Sequence, residues 1–150
     1  FYRWCIFKPY SSPSTPLLAN LGGQVELLGY DSDFRFDQDK RIASVRLYWR
    51  NVAALDKDYT AFLHLTAPDG FVKAQQDRQP FNGLWPTSRW TPGVVLADRF
   101  DIPLDKSIQP GQYLLVTGMY LPASGERIPV ISGPSAPSPD AILLGRIDIH

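Results

Sequence analysis

Fourteen prolines and eleven glycines divide this chain of 150 residues into short segments. Proline interrupts helices and glycine favours turns, so little room is left between them for long regular elements. Most segments carry apolar residues at every second position or in continuous runs, a pattern typical of β-strands. In the segment 42–50, for example, Val45, Leu47 and Trp49 share one face and polar residues alternate with them. The pattern predicts an all-β domain.

Candidate strands recur along the chain with turn signals between them. The segment 59–67 is apolar on both faces, which predicts a central strand. Pro68-Asp69-Gly70 and Pro122-Ala123-Ser124-Gly125 each predict a hairpin turn. About seven to nine short strands predict an antiparallel two-sheet sandwich of the immunoglobulin or fibronectin type, with a small closed barrel as the alternative. The predicted strands cover 24–30, 42–50, 59–67, 71–77, 94–102, 112–121, 127–131 and 141–149.

One local motif favours the sandwich. Pro110-Gly111-Gln112-Tyr113 precedes a strongly apolar strand and resembles the tyrosine corner of such domains. In that corner a tyrosine hydroxyl bonds to the backbone a few residues upstream, and we expect the hydroxyl of Tyr113 to do so here. The alternation within the strands also predicts one shared core, whose members are Trp49, Leu63, Leu65, Leu115 and Met119.

Prolines and serines dominate the start of the chain. Residues 1–16 predict an extended linker, and residues 17–150 the β-sandwich domain. The chain begins with Phe1 rather than Met and has no basic start followed by an apolar signal segment. We therefore expect it to be a piece of a longer protein. No apolar run reaches the ~18 residues that a membrane span needs.

The charge balance and the motif search exclude several function classes. Lys plus Arg and Asp plus Glu each number 15, so the chain has no general attraction to nucleic acid or acidic lipid. Cys5 is the only cysteine, which removes an intrachain disulfide and a cysteine zinc site. No nucleotide-binding, metalloprotease or nucleophile-elbow motif is present. The sequence predicts no enzyme activity, cofactor or metal. A catalytic pair of carboxylates brought together from distant strands, as in glycosidases, is the open alternative.

Two polar residues lie in otherwise apolar strand patterns. His64 faces the same side as Phe62, and it suits either a general base or a hydrogen-bonded structural histidine. Asp98 falls on the apolar face of the segment 94–102, so its carboxylate must be paired, hydrogen-bonded or shifted in pKa. We expect Asp98 to anchor a loop through Arg78 or Arg89, or else to mark a site.

Four aspartates, Asp31, Asp33, Asp37 and Asp39, lie between the first two predicted strands. Several carboxylates close together suggest calcium, which prefers oxygen ligands. The spacing does not fit an EF-hand, because the position that requires glycine holds Phe36. We expect a solvated polar loop, with a calcium site as the open alternative.

The segment 81–93 is the most distinctive in the chain, and we call it the tryptophan loop. It places Trp85 and Trp90 close to Asn82 and Arg89. A sugar ring stacks on an indole while its hydroxyls bond to polar side chains, so the loop suits a carbohydrate platform. The alternative is a lid over the core. We expect Trp85 to be the exposed ring and Trp90 to be buried. The candidate ligand-binding residues are Trp85, Trp90, Asn82, Arg89, Asp98 and His64.

A set of short motifs follows one order along the chain: Leu47-Tyr48-Trp49, Asp58-Tyr59-Thr60-Ala61-Phe62-Leu63-His64-Leu65, Pro68-Asp69-Gly70, Gly83-Leu84-Trp85-Pro86-Thr87, Trp90-Thr91-Pro92-Gly93, Asp98, Pro110-Gly111-Gln112-Tyr113 and Gly125-Glu126-Arg127. Over about residues 17–149, this order and spacing resemble a bacterial domain. It is the soluble β-sandwich that follows the membrane part of multi-pass proteins related to dolichyl-phosphate-mannose-type glycosyltransferases.

The resemblance implies a non-catalytic accessory module on the extracytoplasmic face of a bacterial membrane, close to a glycan or glycolipid. A preceding membrane region, absent from this chain, would tether it, so the domain would contact the membrane only through the parent protein. No catalytic residue of the family carries over, because that chemistry belongs to acidic loops between membrane helices. One departure is Val94, where the resemblance implies an acidic residue beside Gly93.

Three functions therefore remain open at this level. The first is a glycan-binding or positioning module, and the second is a structural spacer or protein-interaction domain. The third is a hydrolase that uses Asp98 with His64 or Asp77. An exposed aromatic cleft would favour the first, a flat apolar patch the second, and a pocket with convergent carboxylates the third.

Overall fold

A computed structural model describes residues 12–36 and 40–150 of the chain, and its strands form two antiparallel sheets. The strands are β1 (Thr15–Leu21), β2 (Val25–Phe36), β3 (Arg41–Asn51), β4 (Thr60–Thr66), β5 (Val72–Arg78), β6 (Leu96–Pro103), β7 (Gly111–Tyr120), β8 (Val130–Ser132) and β9 (Ile142–Ile149). One sheet has the order β6-β3-β2-β1-β8 and the other β5-β4-β7-β9. Two short 3-10 turns, Pro80–Gly83 and Thr87–Arg89, precede β6, and the described residues contain no α-helix. The predicted two-sheet sandwich is confirmed.

The first strand begins within the predicted linker, which ends at residue 16, and continues into a segment for which the sequence predicts no strand. β1 begins at Thr15, and Pro16 lies opposite Gly29 of β2 next to an irregularity in the register. Such an irregularity lets a strand contain proline, which has no N–H for the ladder. Gly22 and Gly23 have φ angles of 59° and 75°, which suit the tight turn that joins β1 to β2. The glycine pair therefore forms a hairpin turn before β2.

The prediction of a solvated polar loop is wrong for the first two of the four aspartates. Asp31 and Asp33 lie within β2, which pairs with β3 as far as Phe36 opposite Arg41. The Asp31 carboxylate accepts a hydrogen bond from the Tyr48 hydroxyl at 2.6 Å. Asp37 and Asp39 lie outside the described residues. Strand pairing with β3, which a linear pattern does not show, extends β2 through a polar sequence.

The core between the sheets contains all five residues that the alternation predicts. Trp49, Leu63 and Met119 have no exposed surface, and Leu65 and Leu115 are each 1% exposed. Complete burial of one large apolar side chain stabilises a fold by roughly 1.5–3 kcal/mol. The predicted core is confirmed, and β4 lies centrally between β5 and β7 as predicted.

The tyrosine corner is present in the structure. The Tyr113 hydroxyl donates a hydrogen bond of 2.6 Å to the carbonyl oxygen of Gln109, four residues upstream. This bond holds the loop before β7 against the start of that strand. The expectation from Pro110-Gly111-Gln112-Tyr113 is confirmed.

Side chains of β5 cover part of the open edge of β6, where the two sheets approach each other. The Gln76 side-chain oxygen accepts a hydrogen bond from the Asp101 N–H at 3.0 Å. Arg78 donates to the carbonyl oxygen of Arg99. Unpaired backbone groups at a sheet edge invite pairing with another chain, so these contacts protect the edge.

Replacement of Trp49 by alanine tests the core. Because Trp49 is fully buried, we expect Trp49→Ala to lower the free energy of unfolding by about 3–5 kcal/mol in urea titrations. Leu84→Ala is the control, since Leu84 is 78% exposed and should change stability by less than about 0.5 kcal/mol. Equal stability of the two variants would contradict the placement of Trp49.

Candidate functional site

The candidate site residue Asp98 anchors the tryptophan loop. Its side chain is 3% exposed and points into the core from β6. Arg78 binds both carboxylate oxygens, with N–O distances of 3.0 and 3.1 Å, and the Phe81 N–H donates to Oδ2 at 3.1 Å. The expected partner is thus Arg78, while Arg89 is exposed. Burial raises the pKa of Asp98 although Arg78 and the Phe81 N–H favour the charged form.

The Arg78 guanidinium has several further contacts. It lies over the ring of Phe100, 4.0 Å from the ring centre, and donates to the carbonyl oxygen of Gln79 at 3.1 Å. A cation over an aromatic face is favourable, and it is more so where water is excluded. The Asp98 carboxylate and the Arg99 backbone carbonyl oxygen also accept from Arg78. These N–H donors are therefore directed at protein groups rather than at a ligand.

The loop begins with a strained backbone. Phe81 and Asn82 have φ angles of 56° and 55°, in the left-handed region that residues with a Cβ rarely adopt. Each such residue costs on the order of 1–3 kcal/mol, so the surroundings must hold it in place. The Asp98 carboxylate holds the Phe81 N–H, and the Phe81 side chain is buried in the core.

A second anchor ties the tryptophan loop to the segment before β4. The Thr87 hydroxyl donates to the carbonyl oxygen of Lys57 at 2.6 Å and accepts from the Tyr59 N–H at 3.0 Å. The Ser88 N–H donates to the Asp58 carboxylate at 3.1 Å. Thr87 has no exposed surface, so the bonds of its hydroxyl are shielded from water, whereas the bond between Ser88 and Asp58 is exposed.

The two tryptophans have different surroundings. Trp90 is 3% exposed, belongs to the core, and donates from Nε1 to the Trp85 carbonyl oxygen at 2.9 Å. Trp85 is half-buried and packs against the same core, whereas Asn82 and Arg89 are exposed. The expected burial of Trp90 is confirmed, so its ring offers no face for stacking. The geometry of this segment is that of a lid.

His64 belongs to a hydrogen-bonded cluster on the outer face of the four-stranded sheet. Its Nε2 lies 2.8 Å from Asp77 Oδ1, and the Tyr120 hydroxyl donates to Asp77 Oδ2 at 3.0 Å. The ring centre of Phe62 is 4.6 Å from that of His64. Burial raises the pKa of Asp77, but the contacts with His64, Tyr120 and Arg127 together lower it below its ordinary value.

The two residue pairs of the hydrolase hypothesis, Asp98 with His64 and Asp98 with Asp77, do not come together. Asp98 lies inside the sandwich on β6, whereas His64 shares the opposite face of β4 with Phe62, outside the main core. Asp77 and Arg78 are consecutive on β5 and point to opposite faces, so Asp77 also faces away from Asp98. Within residues 12–36 and 40–150, no three potential metal ligands lie together.

The pattern along the sequence did not identify two of the polar anchors. Thr87 and Asn51 are both fully buried, and each bonds to backbone groups of the loop between β3 and β4. Threonine and asparagine are ordinary loop residues, so no sequence signal distinguishes these two from exposed ones. The role of Thr87 follows from contacts with Lys57 and Tyr59, which are 30 and 28 residues away in the sequence.

Comparison with protein-family models, curated proteins and solved structures finds no match to this chain. The described residues include no helix of the length and apolar character needed to cross a membrane.

Removal of the Asp98 carboxylate tests the first anchor. We expect Asp98→Ala to lower the free energy of unfolding by about 3–5 kcal/mol, because it leaves the Arg78 charge buried without its partner. The double variant Asp98→Leu with Arg78→Met should be more stable than Asp98→Ala, since it removes both charges. Denaturant unfolding measures all three proteins, and a double variant that is no more stable than Asp98→Ala would contradict the pairing.

The cluster around Asp77 predicts a pH dependence of stability. A carboxyl whose pKa is lowered by folding contributes stability above its unfolded pKa and loses it as pH falls through the folded value. The wild-type chain should therefore lose stability below about pH 4, and Asp77→Asn should lose less over that interval. Urea unfolding at about pH 6 and pH 3 measures the difference. An equal loss in both proteins would exclude a contribution from this cluster.

Proposed function

We propose that this domain is a non-catalytic accessory module of a membrane glycosyltransferase-like protein. Its place is the extracytoplasmic face of a bacterial membrane, close to glycan or glycolipid substrates. The observation that carries the proposal is the role of the motifs behind the resemblance. Those motifs supply core residues, loop anchors and a tyrosine corner of this domain.

Several contacts support this interpretation of the motifs. Asp58 binds the Ser88 N–H, Trp90 fills the core, and Asp98 anchors Phe81. Gly93 donates its N–H to the Asn51 carbonyl oxygen at 3.0 Å, which fixes the exit of the tryptophan loop. Residues that hold one specific loop on one specific sandwich suit a module whose task is to present a surface.

The surface that the loop presents combines polar exposed positions with one apolar side chain, Leu84, which is 78% exposed. Asn82, Ser88 and Arg89 are exposed, and they flank a half-buried Trp85. The formal charge of the whole chain is zero, which favours a neutral glycan over a nucleic acid. The second candidate, a structural spacer, is supported by the burial of Trp90, because a lid completes a rigid domain without binding anything.

Turnover assays test the absence of catalysis. We expect the 150-residue chain to release no product above the buffer blank from a panel of aryl glycosides, with and without divalent cations. His64→Gln and Asp98→Asn are the matched variants, since hydrolysis through either residue would be lost with it. Turnover by the wild type that these variants abolish would overturn the proposal.

Protease accessibility tests the location. The full-length parent protein, tagged after this domain, is expressed in its native cell type, and spheroplasts are treated with a protease that cannot cross the membrane. We expect loss of the tag in intact spheroplasts, while a cytoplasmic control protein survives. Survival of the tag until the cells are lysed would place the domain on the other side of the membrane.

A further inference from the structure

A cleft of about 380 Å³ opens beside the turn between β1 and β2. One wall is formed by Gly23 and Gln24 of that turn, and the other is the loop 53–57, which follows β3. Small-molecule sites are typically clefts of about 300–1,000 Å³. The tryptophan loop does not line this cleft, so the cleft is distinct from the candidate platform around Trp85.

Two buried polar side chains hold the loop 53–57, one near each end. Asn51 Nδ2 donates to the Ala53 carbonyl oxygen at 2.9 Å, and the Thr87 hydroxyl donates to the Lys57 carbonyl oxygen at 2.6 Å. Asn51 and Thr87 have no exposed surface. Between these two points the side chain of Leu55 is buried as well. The shape of this wall is therefore set before any ligand arrives, which lowers the entropic cost of binding.

The opposite wall is fixed in a similar way. The Gln24 N–H donates to the Leu21 carbonyl oxygen at 2.9 Å, and the Gln24 carbonyl oxygen accepts from the Val52 N–H at 2.8 Å. The Tyr59 hydroxyl donates to Gln24 Oε1 at 3.3 Å. This contact orients the amide so that Oε1 faces the phenol and the amide nitrogen is a donor for other groups.

The lining groups select a class of ligand. Asp56 supplies an acceptor, Lys57 supplies donors, and both are exposed. Their opposite charges balance, so the cleft favours neither an anion nor a cation. The small side chains of Ala53 and Ala54 let a ring lie close to the backbone. A neutral molecule with several hydroxyls, each of which both donates and accepts, suits these groups.

We infer that this cleft binds one neutral sugar unit of a glycan. The inference rests on the proposed function, in which the domain lies close to glycans. The tryptophan loop then has an indirect role, because Thr87 holds the backbone of Lys57 and the N–H of Tyr59. Asn82 and Arg89 take no part in the binding.

Amide chemical shifts of the ¹⁵N-labelled chain locate the binding. The probes are glucose, galactose, mannose and N-acetylglucosamine as their methyl glycosides, each titrated to high millimolar concentration. We expect at least one to shift the amides of Gly23, Gln24 and residues 53–57 in a saturable manner. The amides of residues 82–90 should shift less.

Two cleft variants and one control test the contacts. Gln24→Ala and Lys57→Ala change exposed side chains and should each weaken binding by roughly three- to tenfold, the effect of one lost hydrogen bond. The control is Asn82→Ala with Arg89→Ala, which should bind as the wild type does. Thermal unfolding of each variant confirms that the fold is kept.

Two outcomes would overturn the inference. One is a lack of saturable shifts with all four sugars, and the other is binding that the control variant loses and the cleft variants keep. Either outcome leaves the proposed accessory role intact. That role is contradicted only if the domain catalyses turnover of a glycoside or lies on the cytoplasmic side of the membrane.

Discussion

The ion pair between Asp98 and Arg78 holds together three parts of this domain. It joins the end of β5 to the inner face of β6, and it fixes the Phe81 N–H at the start of the tryptophan loop. A buried charge is unfavourable without a partner, so the sandwich requires both residues or neither. Since Arg78 also covers an edge carbonyl of β6, the same contact closes the sandwich along one side. The strained backbone at Phe81 persists because this anchor and the core hold it.

Fixed loops at one end of the sandwich follow from this arrangement. Once Asp98 sets the start of the tryptophan loop, Trp90 reaches the core and Thr87 reaches the segment before β4. Thr87 and Asn51 then hold the loop 53–57, which forms one wall of the cleft. Hydrogen bonds from buried side chains of this kind define one conformation, which is what a binding or presenting surface needs.

The sequence predicts the fold more completely than the site. Alternation is a local property, so it identifies most strands and the core around Trp49, and the short motif Pro110-Gly111-Gln112-Tyr113 identifies the corner at Tyr113. It does not show β1, because prolines at its start suggest a linker, nor the extension of β2 through Asp31, because pairing with β3 depends on distant residues. Burial of Trp90 could be argued from its position before a turn. The cleft could not be predicted from the sequence. Its walls are the β1–β2 turn and the loop 53–57, and Thr87 holds that loop from a distant part of the chain.

Hydrogen exchange of single amides tests most directly whether the tryptophan loop is clamped. The decisive amides are those of Phe81 and Tyr59, which donate to Asp98 and Thr87, and the amide of the exposed loop residue Asn82 is the internal reference. If the anchors hold the loop as part of the fold, the first two exchange only through large openings and approach the protection of core strand amides. Exchange of all three at the rate of an open loop would contradict the account.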